Sequence, residues 1–170
     1  MPLLGHPFRV FLATGQTLAL AHVLWQYGYS VAPGSGPSML PTFLVWNEWF
    51  VADRSYRRGR GVRVGDCVTY TIPVEPHEGG VKRVIGMPGD YVLLNSPGSK
   101  NDDMMQVPQG HCYIVGDNLP WSRDSRDYGP LPLALVHGKV IAKIEFNGWN
   151  PMNWFTKVKD GLSPAESPHP

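Results

Sequence analysis

The sequence predicts a mostly β chain: an antiparallel β domain behind one apolar N-terminal helix. Three observations predict this. Runs of five to eight residues with alternating or β-branched character recur along the chain, separated by turn signals. Gly 19 and Pro 17 in 170 residues punctuate it too often for long helices beyond the start. Residues 10–32 contain no Asp, Glu, Lys or Arg.

Residues 1–9 form a short tail with one charge, Arg9. Residues 10–32, 23 in all, reach across a hydrocarbon core of about 30 Å at 1.5 Å per residue. They are expected to be a retained transmembrane anchor, although Thr14, Gln16, Thr17, His22 and Gln26 lower its hydropathy. Ser35 to Thr42 is a short loop stiffened by Pro37 and Pro41 around Ser38. The apolar run Phe43 to Trp49 follows, and Phe43, Leu44 and Trp46 are expected to touch a membrane surface. Phe50 to Ala52 ends a strand, and Tyr56 to Gly65 is a basic, solvated loop. Asp66 to Ile72 is a strand and Pro73 to Gly80 a loop. Val81 to Ile85 and Tyr91 to Leu94 are expected to pair around the turn Met87 to Asp90. Pro97 to Asp103 is a polar loop, Cys112 to Val115 a strand, and Gly116 to Pro132 a loop. Val136 to Phe146 is the last strand, and Asn147 to Pro170 a loosely held tail. The domain division is therefore 1–9, 10–32, 33–146 and 147–170.

Composition narrows the function. One compact domain plus an anchor fits this length. The formal net charge of +1 gives no electrostatic case for nucleic acid. Hydrophobic residues at 42% against 17% charged exclude a disordered chain and suit a membrane or partner surface. Cys67 and Cys112 lie in apolar alternating runs and read as buried thiols. No Cys/His cluster has zinc spacing, so neither metal nor cofactor is expected.

Three stretches carry the chemistry. Ser38 sits in the stiff loop, where a hydroxyl is presented at little entropic cost. Lys82 opens the run Lys82-Arg83-Val84-Ile85-Gly86-Met87-Pro88-Gly89-Asp90. The third combines Gly116-Asp117-Asn118 with Ser122, Asp124, Ser125, Arg126, Tyr128, Gly129 and Pro130. Read alone, the first is a solvated serine in a linker and the second a surface lysine. In this order and spacing, from about residue 34 to 144, they resemble the type I signal peptidases, a family of membrane-bound serine proteases. Within that family they look most like its mitochondrial inner-membrane branch.

The resemblance implies a signal-peptidase-like β domain and a Ser–Lys dyad. Ser38 matches the nucleophile and Lys82 the general base. Val81, Val84 and Ile85 offer the apolar surroundings that lower a lysine pKa. Ser122 matches a serine that orients the lysine, and Asp124 and Arg126 match a supporting acid and arginine whose charges pair across Ser125. The Ser38 amide is the assigned oxyanion donor. A serine that supplies a second donor in bacterial relatives is replaced here by Gly36, and Ser35 is the other candidate. The six histidines fall in no matching block. The resemblance further implies presequence-bearing protein substrates, a second homologous protease subunit as partner, and a catalytic domain facing the mitochondrial intermembrane space. The alternatives are a bacterial-type or endoplasmic-reticulum signal peptidase, or a non-catalytic structural subunit.

Overall fold

The computed structural model describes residues 7–46, 48–95, 103–144, 154–159 and 161. Among these residues, helix α1 (Pro7–Tyr27) leads into ten strands: β1 (Tyr29–Gly34), β2 (Glu48–Asp53), β3 (Cys67–Ile72), β4 (Glu75–Gly86), β5 (Tyr91–Leu93), β6 (Met104–Gln106), β7 (His111–Val115), β8 (Leu131–Pro132), β9 (Val136–Ile144) and β10 (Phe155–Lys157). A four-residue helix, α2 (Ser125–Tyr128), lies between β7 and β8. The main sheet runs β1-β2-β9-β3-β4-β7-β8, with β10 added to β9, and all its pairings are antiparallel. The mostly antiparallel β architecture is thus as the sequence predicts.

Period-two patterning places the core. In β2, Glu48, Phe50 and Ala52 turn inward while Trp49 stays exposed. Val68, Tyr70, Val84, Cys112, Ile114, Leu131 and Val136 form one buried cluster across β3, β4, β7, β8 and β9. Met39, Phe43, Phe50, Ala52, Cys67 and Val140 form a second, beside the Ser38 loop. Both thiols are buried and unpaired, and burial pushes each up to about 12.

Several expected boundaries move. The helix ends at Tyr27, and Tyr29 to Ala32 pair with Asp53 to Phe50 in the sheet. Gly28 makes this turn: its amide bonds Leu24 O at 2.9 Å and its carbonyl accepts from Arg54 N at 2.8 Å. Arg57 stacks over the Tyr27 ring at 4.6 Å. Phe8, Phe11, Leu18, Leu20 and Leu24 on α1 are all exposed. No helix among the described residues is long and apolar enough to cross a membrane.

Residues 75–80 are strand rather than loop, because Gly79 and Gly80 pair with Thr71 and Tyr70 to complete a β3–β4 hairpin. Gly80 lies under the Tyr70 ring, where a Cβ would come within 2.9 Å. Strand β5 does not pair with β4; it pairs with β6 in a separate two-stranded sheet. Gly89, at φ 94°, turns the chain there, while β7 occupies the free edge of β4. Phe43 is buried against Phe50, edge to face at 6.4 Å, so it is a core residue and cannot touch a membrane. Leu44 and Trp46 are exposed. Part of the expected loose tail is ordered, since β10 pairs with β9. Residues 97–102, 147–153 and 162–170 lie outside the described residues.

Ile114 is wholly buried on β7. Ile114→Ala is expected to cost about 2–5 kcal/mol, through lost transfer energy and a residual cavity. The check is a fall in the urea midpoint with an unchanged denaturant slope.

Candidate active site

The Ser38 loop is held from both sides. Gly36 has φ 100°, a left-handed conformation that favours glycine, and its amide donates to Val45 O at 3.0 Å. Pro37–Met39 then form one 3-10 turn, closed by Leu40 N donating to Pro37 O at 3.2 Å. Met39 and Phe43 sink into the second core cluster beneath it. From across the site, Asn118 donates its backbone N–H to Ser38 O and its side-chain amide to Pro37 O, both at 3.0 Å.

Lys82 lies in the middle of β4, opposite Val68 of β3. Alternation puts it on the same face as Val84, toward the first core cluster, and only 5% of it is exposed. Burial lowers its pKa to about 8. The nearby Asp124 and Asp117 carboxylates pull that value up and the Arg126 guanidinium pulls it down, but burial dominates. Among the described residues no carboxylate forms an ion pair with Lys82. Arg83 pairs with Val115, so the antiparallel register puts Lys82 level with Gly116.

Gly116 is where the expected residues meet. A Cβ there would lie 2.2 Å from Ser122 Oγ and 2.5 Å from Ser38 O, so only glycine allows this approach. Ser122 Oγ donates to Asp124 Oδ2 at 2.6 Å, and Gly116 N donates to the same oxygen at 3.0 Å. Arg126 Nε reaches Asp124 Oδ1 at 2.8 Å, the pairing expected across Ser125. Arg126 Nη2 also donates to Leu119 O at 2.8 Å and Ser122 O at 3.1 Å. Asp124 caps α2, and Asp127 returns the bond to its amide at 3.0 Å. Burial alone would raise the Asp124 pKa; Arg126, the Gly116 amide and the Ser122 hydroxyl overcome it and hold the carboxyl below its usual range.

One network had no assigned role in the sequence reading. Arg83 makes a two-pronged pair with Asp117, Nε to Oδ1 and Nη2 to Oδ2, each at 2.7 Å. Its Nη2 also donates to Thr42 Oγ1 at 3.3 Å, and the Thr42 hydroxyl donates to Asp117 Oδ2. Strand β4, the Gly116 turn and the Ser38 loop are thereby joined. Arg83, Asp117 and Thr42 all lie within the three stretches that carry the chemistry, but nothing in their spacing says that they meet.

A cleft of about 660 Å³ is lined by Ser35, Gly36, Ser38, Lys82, Trp121, Arg123 and His137 among others. Its walls come from β1 and from residues 78–82 of β4. His137 is the one histidine among the described lining residues. Its Nε2 bonds Thr71 Oγ1 at 2.7 Å. Thr71 is three residues along β3 from Val68, or about 10 Å from the level of Lys82. No group of three or more His, Cys, Asp or Glu among the described residues can hold a metal ion.

The family model described as signal peptidase, peptidase S26, matches residues 8–98 and 93–145. The chain is 37% identical over 156 residues to a Schizosaccharomyces pombe protein named mitochondrial inner membrane protease subunit 1, covering 91% of this chain and 96% of that one. It is 40% identical over 142 residues to the Homo sapiens protein of the same name, covering 83% and 84%. It is also 34% identical over 151 residues to mitochondrial inner membrane protease subunit 2 of Danio rerio, covering 88% and 75%.

The depressed Asp124 pKa is a stability statement. A folded-state carboxyl held below its unfolded value near 3.9 stabilises at pH above that value, and the contribution is lost as pH falls through the folded value. Asp124→Asn is expected to lower stability at pH 7 by about 3–5 kcal/mol, because it breaks a buried pair. The gap to wild type should narrow as unfolding is repeated below about pH 4. A constant gap at every pH would contradict this assignment.

Proposed function

The chain belongs to the signal peptidase family, peptidase S26, and from that premise we propose that it is a membrane-anchored serine endopeptidase working through a Ser38–Lys82 dyad. The observation that carries the proposal is the placement of a buried, pKa-lowered lysine in the same cleft as a serine held on a stiff loop. At an ordinary value near 10.5, fewer than roughly one lysine in a thousand is neutral at pH 7; at about 8, roughly one in ten is.

In this mechanism Lys82 Nζ takes the Ser38 proton as Oγ attacks the scissile carbonyl. The Ser38 amide donates to the developing oxyanion. The lysine ammonium then protonates the leaving amine, and water releases the acyl group by the same route. The Ser122 hydroxyl donates its hydrogen bond to Asp124, which leaves the hydroxyl lone pairs to accept from Lys82 and orient it. Asp124 and Arg126 support that serine without touching the bond being cleaved.

Helix α1 is assigned as the anchor. Its 21 residues reach about 31 Å at 1.5 Å each and its apolar side chains are exposed, but its polar residues keep it below the apolarity of an ordinary span. Its polar residues are partly self-satisfied: the Thr14 and Thr17 hydroxyls donate to the Val10 and Ala13 carbonyls at 2.9 Å. The names of the similar proteins support a place in the mitochondrial inner membrane and a second, homologous subunit as partner. The proposal extends these to cleavage of sorting signals on the intermembrane-space side.

Lys82→Arg, which keeps the charge but stays protonated, should abolish cleavage of a presequence-bearing precursor as fully as Ser38→Ala. The general-base loss is about 10²–10⁴-fold, Ser122→Ala should lose less, and His137→Gln should keep turnover. Activity should rise with pH around a midpoint near 8, as Lys82 loses its proton. Cleavage by Lys82→Arg at the wild-type rate would end the dyad reading. For the anchor, the full chain should stay with membranes through alkaline carbonate extraction; its release would remove α1 from that role.

A further inference from the structure

The segment after β9 reaches back to the site. Strand β10 pairs with Ile144, Lys143 and Ala142 of β9, on the edge that β3 leaves free beyond Lys139. Val158 then donates its amide to Ile141 O at 3.3 Å, and its side chain packs on the cluster containing Met39 and Phe43, which follow Ser38 in the chain. The next residue supplies a carbonyl: Lys159 O accepts from Arg83 Nη1 at 3.1 Å. Gly161 lies against the same guanidinium, where a Cβ would be 2.7 Å from Cζ.

Arg83 is only 4% exposed, so its donors need partners. A guanidinium has five N–H groups. Here Nε serves Asp117, Nη2 serves Asp117 and Thr42, and Nη1 serves Gly65 O at 2.7 Å and Lys159 O. The Lys159 carbonyl is one of these partners, and losing it removes a hydrogen bond from a buried cation, a loss that the guanidinium answers by shifting. A shift would be transmitted at once, because Arg83 follows Lys82 on β4 and bonds Thr42 in the serine loop.

We infer that residues 155–159 with Gly161 are a positioning strap, completing the Arg83–Asp117–Thr42 network that sets Ser38 against Lys82. The strap lies beyond residue 145, where the match to the family model ends. It rests on the Ser38–Lys82 reading and adds a second requirement to it. Edge strands are also covered simply to protect a sheet, so the test must separate positioning from stability.

The experiment uses the full chain in detergent and a quenched fluorogenic peptide selected for cleavage by the wild type. Turnover is expressed per folded molecule, with the folded fraction taken from thermal unfolding. Val158→Asp places a charge in the core cluster and unseats the strap. Gly161→Leu crowds a guanidinium that its hydrogen bonds hold in place, without touching the core. Misplacement of reacting groups by about 1 Å costs up to about 10²-fold, so kcat should fall at least about tenfold in each variant. In Gly161→Leu KM should stay within about twofold, because neither Gly161 nor Arg83 lines the cleft, and Val158→Ile should keep wild-type turnover. If folded Gly161→Leu turns over at the wild-type rate, and Val158→Asp loses activity only in proportion to its folded fraction, the strap is a sheet cover and the inference is wrong. Should Val158→Asp fail to fold, Gly161→Leu decides alone. Residual cleavage by Ser38→Ala at the wild-type rate would instead break the dyad reading.

Discussion

Keeping one lysine out of water sets the terms for the rest of the site. Lys82 loses hydration because β4 is packed between β3 and β7, with Val68 and Val84 on its own face. Desolvation penalises the ammonium more than the free amine, and that difference brings its pKa to about 8. A carboxylate in contact would reverse the effect, since an opposite charge favours the ammonium. Asp124 is close enough to pull upward, yet its oxygens are already taken by Arg126, Ser122 and the Gly116 amide. The acid is spent on structure and the lysine stays easy to deprotonate.

Two arginine–aspartate pairs flank this lysine and carry different loads. Arg126–Asp124 sits at the start of α2, where it closes the Leu119–Ser122 segment and fixes the direction of the Ser122 hydroxyl. Arg83–Asp117 lies on the other side of the strand and bonds outward to Thr42, Gly65 and Lys159. Each cation is multiply hydrogen bonded, which is what a buried ion pair needs to offset its desolvation. Between them lies Gly116, where Ser38 and Ser122 approach too closely for any side chain.

The same chain offers two surfaces of opposite character. The core face of β2 is filled by Phe50 and Ala52 against the serine loop, whereas α1 exposes its apolar residues to its surroundings. Gly28 and Arg54 join the two at the turn where helix becomes strand. The proposed anchor therefore feeds directly into β1, whose residues line the cleft.

Much of this was legible in the order of residues. The antiparallel β class, the strands around Cys67 to Ile72, Cys112 to Val115 and Val136 to Ile144, and the buried thiols follow from alternation, because a half-buried strand must alternate. The pairing of Asp124 with Arg126 was legible because two residues apart on a cap is a local distance. What sequence could not decide is non-local. Whether β5 joins β4 or β6 depends on which edge is already occupied, and β7 occupies it. Phe43 and Trp46 have similar chemistry, yet one is buried and the other exposed, since only packing against Phe50 distinguishes them. The meeting of Thr42, Arg83, Asp117 and Lys159 needs four segments brought together by the sheet. A hydrogen bond specifies distance and direction in space, and no spacing along the chain encodes either across such separations.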